Sequence, residues 1–484
     1  MTDDRSSAPP SSSPSPSSPR DADSRPASEA SRVRPSIAIV TSLAAIADVS
    51  PLELPPLNET VDVDALDSLF VSDDGSESEF ESENRDEDEP ENEHERSHDQ
   101  TAEAERTWPT VDFRYANHDV RVDGNSSVDI SRSETADHGA DDWTHVTPVD
   151  VPADYGLTTR LVLAVGDRTG RKPTRVRSEL ERTVDLDALS RLNRRRGNGI
   201  PRSGGTVRFS RLGLDVVVTP DGTIAIGSTL TRLKRTGGNV LLTGSVPDAL
   251  VDVASAKLLG NPDADRRHCV ALLDRDVDVV DRRLPRMDAP TRVVTHETIA
   301  RSSAVASSAV DVDVDTDTSA DSDAPTDTDP ETDATRNPAS VIDRTPVTGD
   351  FEGVREAIET MLSESVSDQI DLEPSSLRLC VDSLRPILEE ASHDAGPGSD
   401  SDDERTHDTD AIAFLEPLCE AVRDVSALAH YVLPVDRTSP AVERIESLFD
   451  ATVELRVDGT TAQQRWHLHE SSYTTEWFAL TDHQ

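Results

Sequence analysis

The sequence predicts an α+β fold followed by an α/β fold: two small α+β modules, then a mostly parallel sheet flanked by helices, with long disordered acidic linkers. Three observations predict it. One pattern of residues occurs twice in the first half, and strand-like and helix-like runs alternate in the second half. Composition supplies the third, since 95 Asp+Glu stand against 48 Lys+Arg for a net charge of -47 over 484 residues, with 34% hydrophobic and 3% aromatic residues. That is too little apolar material for one compact globule of this length, so acidic stretches must remain outside the cores.

Those stretches are legible as Ser, Pro, Asp and Glu tracts: a tail over 1–35, an insertion over 71–107, and linkers over 131–153, 301–348 and 392–409. None can bury enough apolar area to offset chain entropy. Of the 48 basic residues only Lys172, Lys234 and Lys257 are lysine. Asp excess with lysine poverty fits a protein of molar intracellular salt, where self-repulsion is screened and carboxylates keep the surface hydrated. A haloarchaeal, cytoplasmic protein is therefore expected, and the acidity describes its solvent rather than its substrate.

The first module spans 36–130 and the second 154–228. Each opens with an apolar helix, Ile37 to Ala47 or Thr158 to Val165. A short helix follows, VDVDALDSL from Val61 or VDLDALSRL from Val184, capped by Asp62 or Asp185. Alternating strands complete each copy, TVDFRYANHDVRVDGNSSVDI from Thr110 and TVRFSRLGLDVVVTPDGTIAI from Thr206, turning at Asp123-Gly124 and Asp221-Gly222. These blocks resemble the halobacterial output domain in the apolar opening helix, the Pro55 to Leu57 run, the ValAsp-x-AspAlaLeu helix and the Val111 to Tyr115 strand. The resemblance implies signal output or regulation and no chemistry.

The second half occupies 237–300 and 349–484. Its expected strands are Asn239 to Thr243, Cys269 to Leu273, Leu377 to Val381, Ala429 to Leu433 and Thr452 to Val457, with a hairpin at Asp458-Gly459 leading to Arg465 to His469. Helices are expected up to Leu259, over Gly353 to Leu362, through Phe414 to Val425 and over Ser439 to Phe449, giving a parallel sheet with an antiparallel edge. Linkers 301–348 and 392–409 interrupt it.

In this half, NVLLTG from Asn239, RLCVDSLRP from Arg378, HYVLPVD from His430, LFDATVELR from Leu448 and QRWHL from Gln464 resemble an uncharacterised haloarchaeal family with a degenerate RecA-like fold. In a working relative, a Gly-rich turn ending in GlyLys[Ser/Thr] cradles phosphates and a strand-end Asp helps hold magnesium. Here the turn after the first strand reads Gly244 to Val251, with Ala249, Leu250 and Val251 where Gly, Lys and Ser/Thr belong. Pro247 has no N–H, and Asp248 brings a negative charge. Asp382 and Ser383 stand as a vestigial strand-end acid that caps the next turn. No enzyme activity, cofactor or metal is expected.

Cys269, Cys380 and Cys419 lie in apolar runs and read as reduced core residues. His467 and His469 alternate on a strand and share a face, without a third ligand placed by the sequence. Residues 151–297 carry 25 basic and 18 acidic side chains, a basic island in an acidic chain. Its centre is the loop holding Arg191, Arg194, Arg195, Arg196 and Arg202, a candidate interaction patch for an acidic protein surface or the chain's own acids, for nucleic acid, or a solvated loop. The sequence thus reads as a non-catalytic signalling or regulatory protein with unidentified protein partners. The alternatives are a transcription-associated DNA binder using the Arg191 to Arg202 loop, and a switch that binds nucleotide without hydrolysing it.

Overall fold

The computed structural model describes residues 34–70, 109–124, 127–132, 143–152, 154–200, 202–261, 264–284, 291–297, 342–367, 372–393 and 404–480. Residues 1–33 of the tail, the 71–107 insertion and most of the 301–348 linker lie outside these residues, and the tail's last residue, Pro35, already belongs to a helix.

In the first repeat α1 (Pro35–Ala47) begins with proline at its first turn, where the missing N–H costs nothing, and stops at Asp48 in the left-handed region. The short α2 (Val63–Leu69) is capped by Asp62, whose carboxylate accepts from Ala65 N at 3.2 Å. The second repeat has α3 (Leu157–Thr169), α4 (Pro173–Glu181) and α5 (Leu186–Leu192), the last capped by Asp185, which accepts from Ala188 N at 2.9 Å. Each then forms a meander: β1 (Thr110–Tyr115), β2 (His118–Val122) and β3 (Val128–Arg132) in one, β5 (Thr206–Arg211), β6 (Leu214–Val218) and β7 (Ile224–Ser228) in the other. The Asp-Gly turns fall between the strands, as the pattern predicts.

The two repeats are not separate beads. Their strands form one seven-stranded antiparallel sheet, β3-β2-β1-β5-β6-β7-β4, over one shared hydrophobic core. At the seam β1 pairs with β5 with Val111 opposite Val207, Thr110 opposite Arg208 and Asp112 opposite Thr206. Val111 and Val207 are equivalent in the repeat, as are Asp112 and Arg208, so the pairing is centred on a pseudo-two-fold axis. Both valines are fully buried. Helices α2 and α5, also equivalents, pack against each other across the same axis.

The 131–153 linker is a correction. Strand β3 continues to Arg132, and β4 (Thr147–Pro148) adds to the outer edge of β7. Its two residues, one of them a proline, give no strand signal.

The chain passes from β7 through α6 (Thr229–Thr236) and Gly237 directly into the second half. Gly237 has φ of 93°, and a Cβ there would lie 2.4 Å from Ala427 O. The second sheet is built from β8 (Gly238–Thr243), β9 (Arg267–Leu272), β10 (Thr291–Glu297), β11 (Ile342–Thr348), β12 (Leu377–Asp382), β13 (Leu428–Leu433), β14 (Ala451–Asp458), β15 (Thr461–Leu468), β16 (Tyr473–Thr474) and β17 (Phe478–Ala479). Its order is β11-β10-β9-β12-β13-β8-β14-β15-β16, with β17 also on β15. Pairings are parallel from β11 to β14 and antiparallel beyond.

Counting from β8 and leaving out the outer pair β10 and β11, the strands β14-β8-β13-β12-β9 run fifth-first-fourth-third-second. Helices α7 (Asp248–Leu259) and α8 (Asp278–Arg283) cover one face, and α9 (Phe351–Ser367), α10 (Arg385–His393), α11 (Glu404–Asp424) and α12 (Pro440–Ile445) the other. The alternation is strict: Val240 and Leu242 enter one core, Leu241 the other. Two linker boundaries are corrected here, because β11 occupies the end of 301–348 and α11 starts inside 392–409. Strand β10 also went unread, its Thr, Arg and Glu resembling a loop.

Candidate functional site

At the C-terminal rim of the parallel sheet, where such folds bind ligands, Asp382 ends β12 fully buried. Its partner is Arg283 from α8. The Arg283 guanidinium, 3% exposed as a residue, donates to Asp382 Oδ2 at 2.6 Å and through Nε to Asp252 Oδ1 of α7 at 2.9 Å. It also approaches Cys380 Sγ at 3.3 Å. Burial pushes the Asp382 carboxyl up, against the pull of Arg283 and then Arg275, whose Nε stands 3.8 Å from Oδ1. Ser383 Oγ lies 3.3 Å from Asp274 Oδ2 and accepts from Arg385 N at 3.3 Å, the turn-capping role read for it. Behind them Ser255 Oγ meets His430 Nε2 at 2.7 Å, and burial drives that imidazole down to about 3.

The turn after β8 completes the rim. Gly244 N donates to Val435 O, Val246 N to Gly244 O, and Leu250 N and Val251 N to Pro247 O, so four of its amides are already bonded inside the protein. A Cβ on Gly244 would lie 2.6 Å from Leu455 O, so this glycine serves the approach of β14. Asp248 is held by Arg275 NH1 at 2.7 Å. A magnesium-bound triphosphate fits none of this: a guanidinium holds the acid that would face magnesium, and a carboxylate stands beside the phosphate path.

The arginine loop divides. Arg202 donates to Asn58 O at 3.0 Å, to Asn58 Oδ1 at 2.9 Å and to Arg194 O at 2.6 Å, and lies 3.2 Å from Asp62. Arg196 donates to Glu59 O at 2.9 Å. Both therefore clamp the second repeat onto the first. Arg195 bonds Gly199 O and Arg191 bonds Asp187 O, each at 3.4 Å, within the second repeat. Arg194 and Arg195 are exposed. His467 and His469 do not converge: His467 Nε2 pairs with Glu454 at 2.9 Å, and His469, beyond the strand, meets Thr452 Oγ1 at 3.0 Å. The three cysteines are buried thiols.

Sequence reasoning missed the junction of the two halves. Asp215 on β6 is fully buried and accepts from Ser210 Oγ at 2.6 Å, Thr229 Oγ1 at 3.0 Å and Arg232 Nε at 3.0 Å, with His145 Nε2 at 2.6 Å. Burial pushes its carboxyl up, but these donors outweigh it and hold the group below the usual range. Arg232 on α6 also pairs with Glu470 of the second half, and Leu212 N donates to Ser471 O at 2.9 Å. A signal was present: Asp recurs at this place in both repeats. Asp119, the equivalent, sits at the surface beside Arg114.

Comparison with known proteins follows the same division. Residues 31–84 and 154–228 match the family Halobacterial output domain 1, one segment on each side of the seam. Residues 237–455 match a family of unknown function, DUF7504. No curated protein matches it. Among solved structures, a KaiC-like protein of the hyperthermophilic archaeon Pyrococcus horikoshii aligns over 50% of this chain and 85% of that one, at 10% identity and a TM-score of 0.28. Among the described residues no single helix is long and apolar enough to cross a membrane.

Proposed function

We propose that the chain is a non-catalytic cytoplasmic signalling or regulatory protein of a haloarchaeon, working through protein contacts of its paired output modules and its degenerate RecA-like half. The output-domain match supports a role in regulation. The observation that carries the non-catalytic part is the Arg283 guanidinium lodged between Asp252 and Asp382, which supplies from within the protein the positive charge that a metal brings to a working phosphate site. The bonded amides of the Gly244 turn point the same way.

Purified full-length chain in molar KCl with magnesium is expected to turn over no ATP or GTP above buffer, and neither nucleotide is expected to raise its melting temperature. Turnover abolished by Asp382→Ala overturns the reading. The DNA-binding alternative now rests on Arg194 and Arg195, because Arg196 and Arg202 are engaged with Asn58, Glu59 and Asp62.

A further inference from the structure

The rims of the antiparallel sheet are unequal. On the second repeat β4 covers the outer edge of β7: Thr147 is opposite Ile226, Pro148 opposite Ala225, and Val149 N donates to Ile224 O at 2.9 Å. Val149 and Val151 pack on the shared core there, and Ile224 and Ile226 are 0% and 1% exposed. On the first repeat β3 ends the sheet among the described residues. Val128 and Ile130, the equivalents of Ile224 and Ile226, pack on the same core yet remain half-buried. By the repeat, their backbone N–H and C=O groups point outward, as those of Ile224 do toward β4.

The chain's own leading segment is a poor cover. Pro26 stands nine residues before α1 as Pro148 stands nine before α3, but the places of Val149 and Val151 fall on Ala27 and Glu29. A carboxylate cannot replace Val151 against the apolar core that Val128 and Ile130 join.

We propose that the outer edge of β3 is a strand-addition site that takes an extended segment of a partner protein, running antiparallel and carrying two aliphatic side chains two residues apart, as β4 does on β7. Backbone bonds to Val128 and Ile130 give affinity, and the aliphatic pair, its first member opposite Val128 and its second packing on the core beyond it, gives selectivity. The proposal rests on the reading of the chain as an interaction protein, and names one surface through which it acts.

The probe is a synthetic peptide of residues 144–152, THVTPVDVP, added to the full-length chain in molar KCl, with amide hydrogen exchange followed residue by residue. Exchange at Val128 and Ile130 is expected to slow by about tenfold or more at saturating peptide. A peptide with Val149→Asp and Val151→Asp is expected to give no slowing. Ile130→Pro, which removes an outward N–H, is expected to abolish peptide binding, and Ile130→Thr, which keeps the N–H, to weaken it.

Unchanged exchange at millimolar wild-type peptide overturns the proposal. So does protection of Val128 and Ile130 before peptide is added, which assigns the edge to the chain's own segment, and so does equal slowing at β11, which marks unselective edge pairing. Nucleotide turnover leaves these exchange results untouched, so the failure of the functional reading and the failure of the site are separable.

Discussion

Val111 and Val207 at the seam between the output modules and Arg283 and Asp382 at the rim are all buried, and the two places are held by opposite means. At the seam two valines face each other and the gain comes from apolar area withdrawn from water. At the rim Arg283 bridges two carboxylates, so each charge tolerates burial only because the other is present. A buried pair of that kind is little screened even by molar salt, whereas apolar burial is graded and tolerates trimming. The difference teaches that the molecule is cheap to trim at the seam and expensive to trim at the vestigial site.

The largest effect expected from breaking this contrast is Arg283→Ala, which strands the buried Asp382, leaves Asp252 to Arg282 alone, and costs about 3–5 kcal/mol in denaturant unfolding. The triple variant Arg283→Met, Asp252→Asn, Asp382→Asn is expected to recover most of it; a triple as unstable as the single removes the ionic account. Next, Val111→Ala and Val207→Ala each cost about 2 kcal/mol. Because the two sites are symmetry mates, their costs are expected to agree, and a large disparity argues against the pseudo-two-fold seam.

Acid sharpens the contrast further. Burial drives His430 down to about 3 and His268 to about 4, from an unfolded value near 6.5. Folded-state values below the unfolded one mean that the unfolded chain takes up protons first. The stability from each neutral imidazole is therefore complete above about pH 6.5 and is lost as pH falls toward the folded value, at about 1.4 kcal/mol per pH unit per site. Glu454, held at about 2 because its bonds from His467 and Arg465 outweigh burial, adds its loss only below the usual carboxylate range. Unfolding measured between pH 6.5 and 5 isolates the histidines, and His430→Asn is expected to lower the slope; an unchanged slope eliminates it as a contributor.

The smallest effect concerns the partly exposed Asp112–Arg208 pair, whose side chains are 29% and 19% exposed. Asp112→Arg places two arginines side by side at a cost of up to about 1 kcal/mol. The exchanged double variant Asp112→Arg, Arg208→Asp is expected to recover only part of that cost in a double-mutant cycle, because Arg121, opposite position 112 on β2, then faces an arginine.

Much of this architecture is legible in the sequence. The repeat is, because Asp caps and Asp-Gly turns are local chemistry, and so are the buried parallel strands, because continuous aliphatic runs need two covered faces. What escapes is pairing and approach. Nothing in the order of residues says that Val111 meets Val207 rather than solvent, and nothing ties Arg283 to Asp382, 99 positions on. Strand β4 escapes because Thr-Pro resembles a linker, and β11 because an edge strand needs only one covered side. Asp215 was visible as a recurring acid, but its burial follows from the docking of α6 and Glu470, which no local pattern encodes.

The Asp112–Arg208 contact has a further consequence. In an assembly of two identical subunits, a position beside the two-fold axis approaches its own duplicate, and like charge would meet like. Here both copies lie on one polypeptide, so the two positions need not match, and aspartate stands on one side with arginine on the other. By the same freedom Asp215 anchors the neighbouring domain while Asp119 pairs with Arg114 within its own repeat. A covalent dimer is in this sense a heterodimer in waiting.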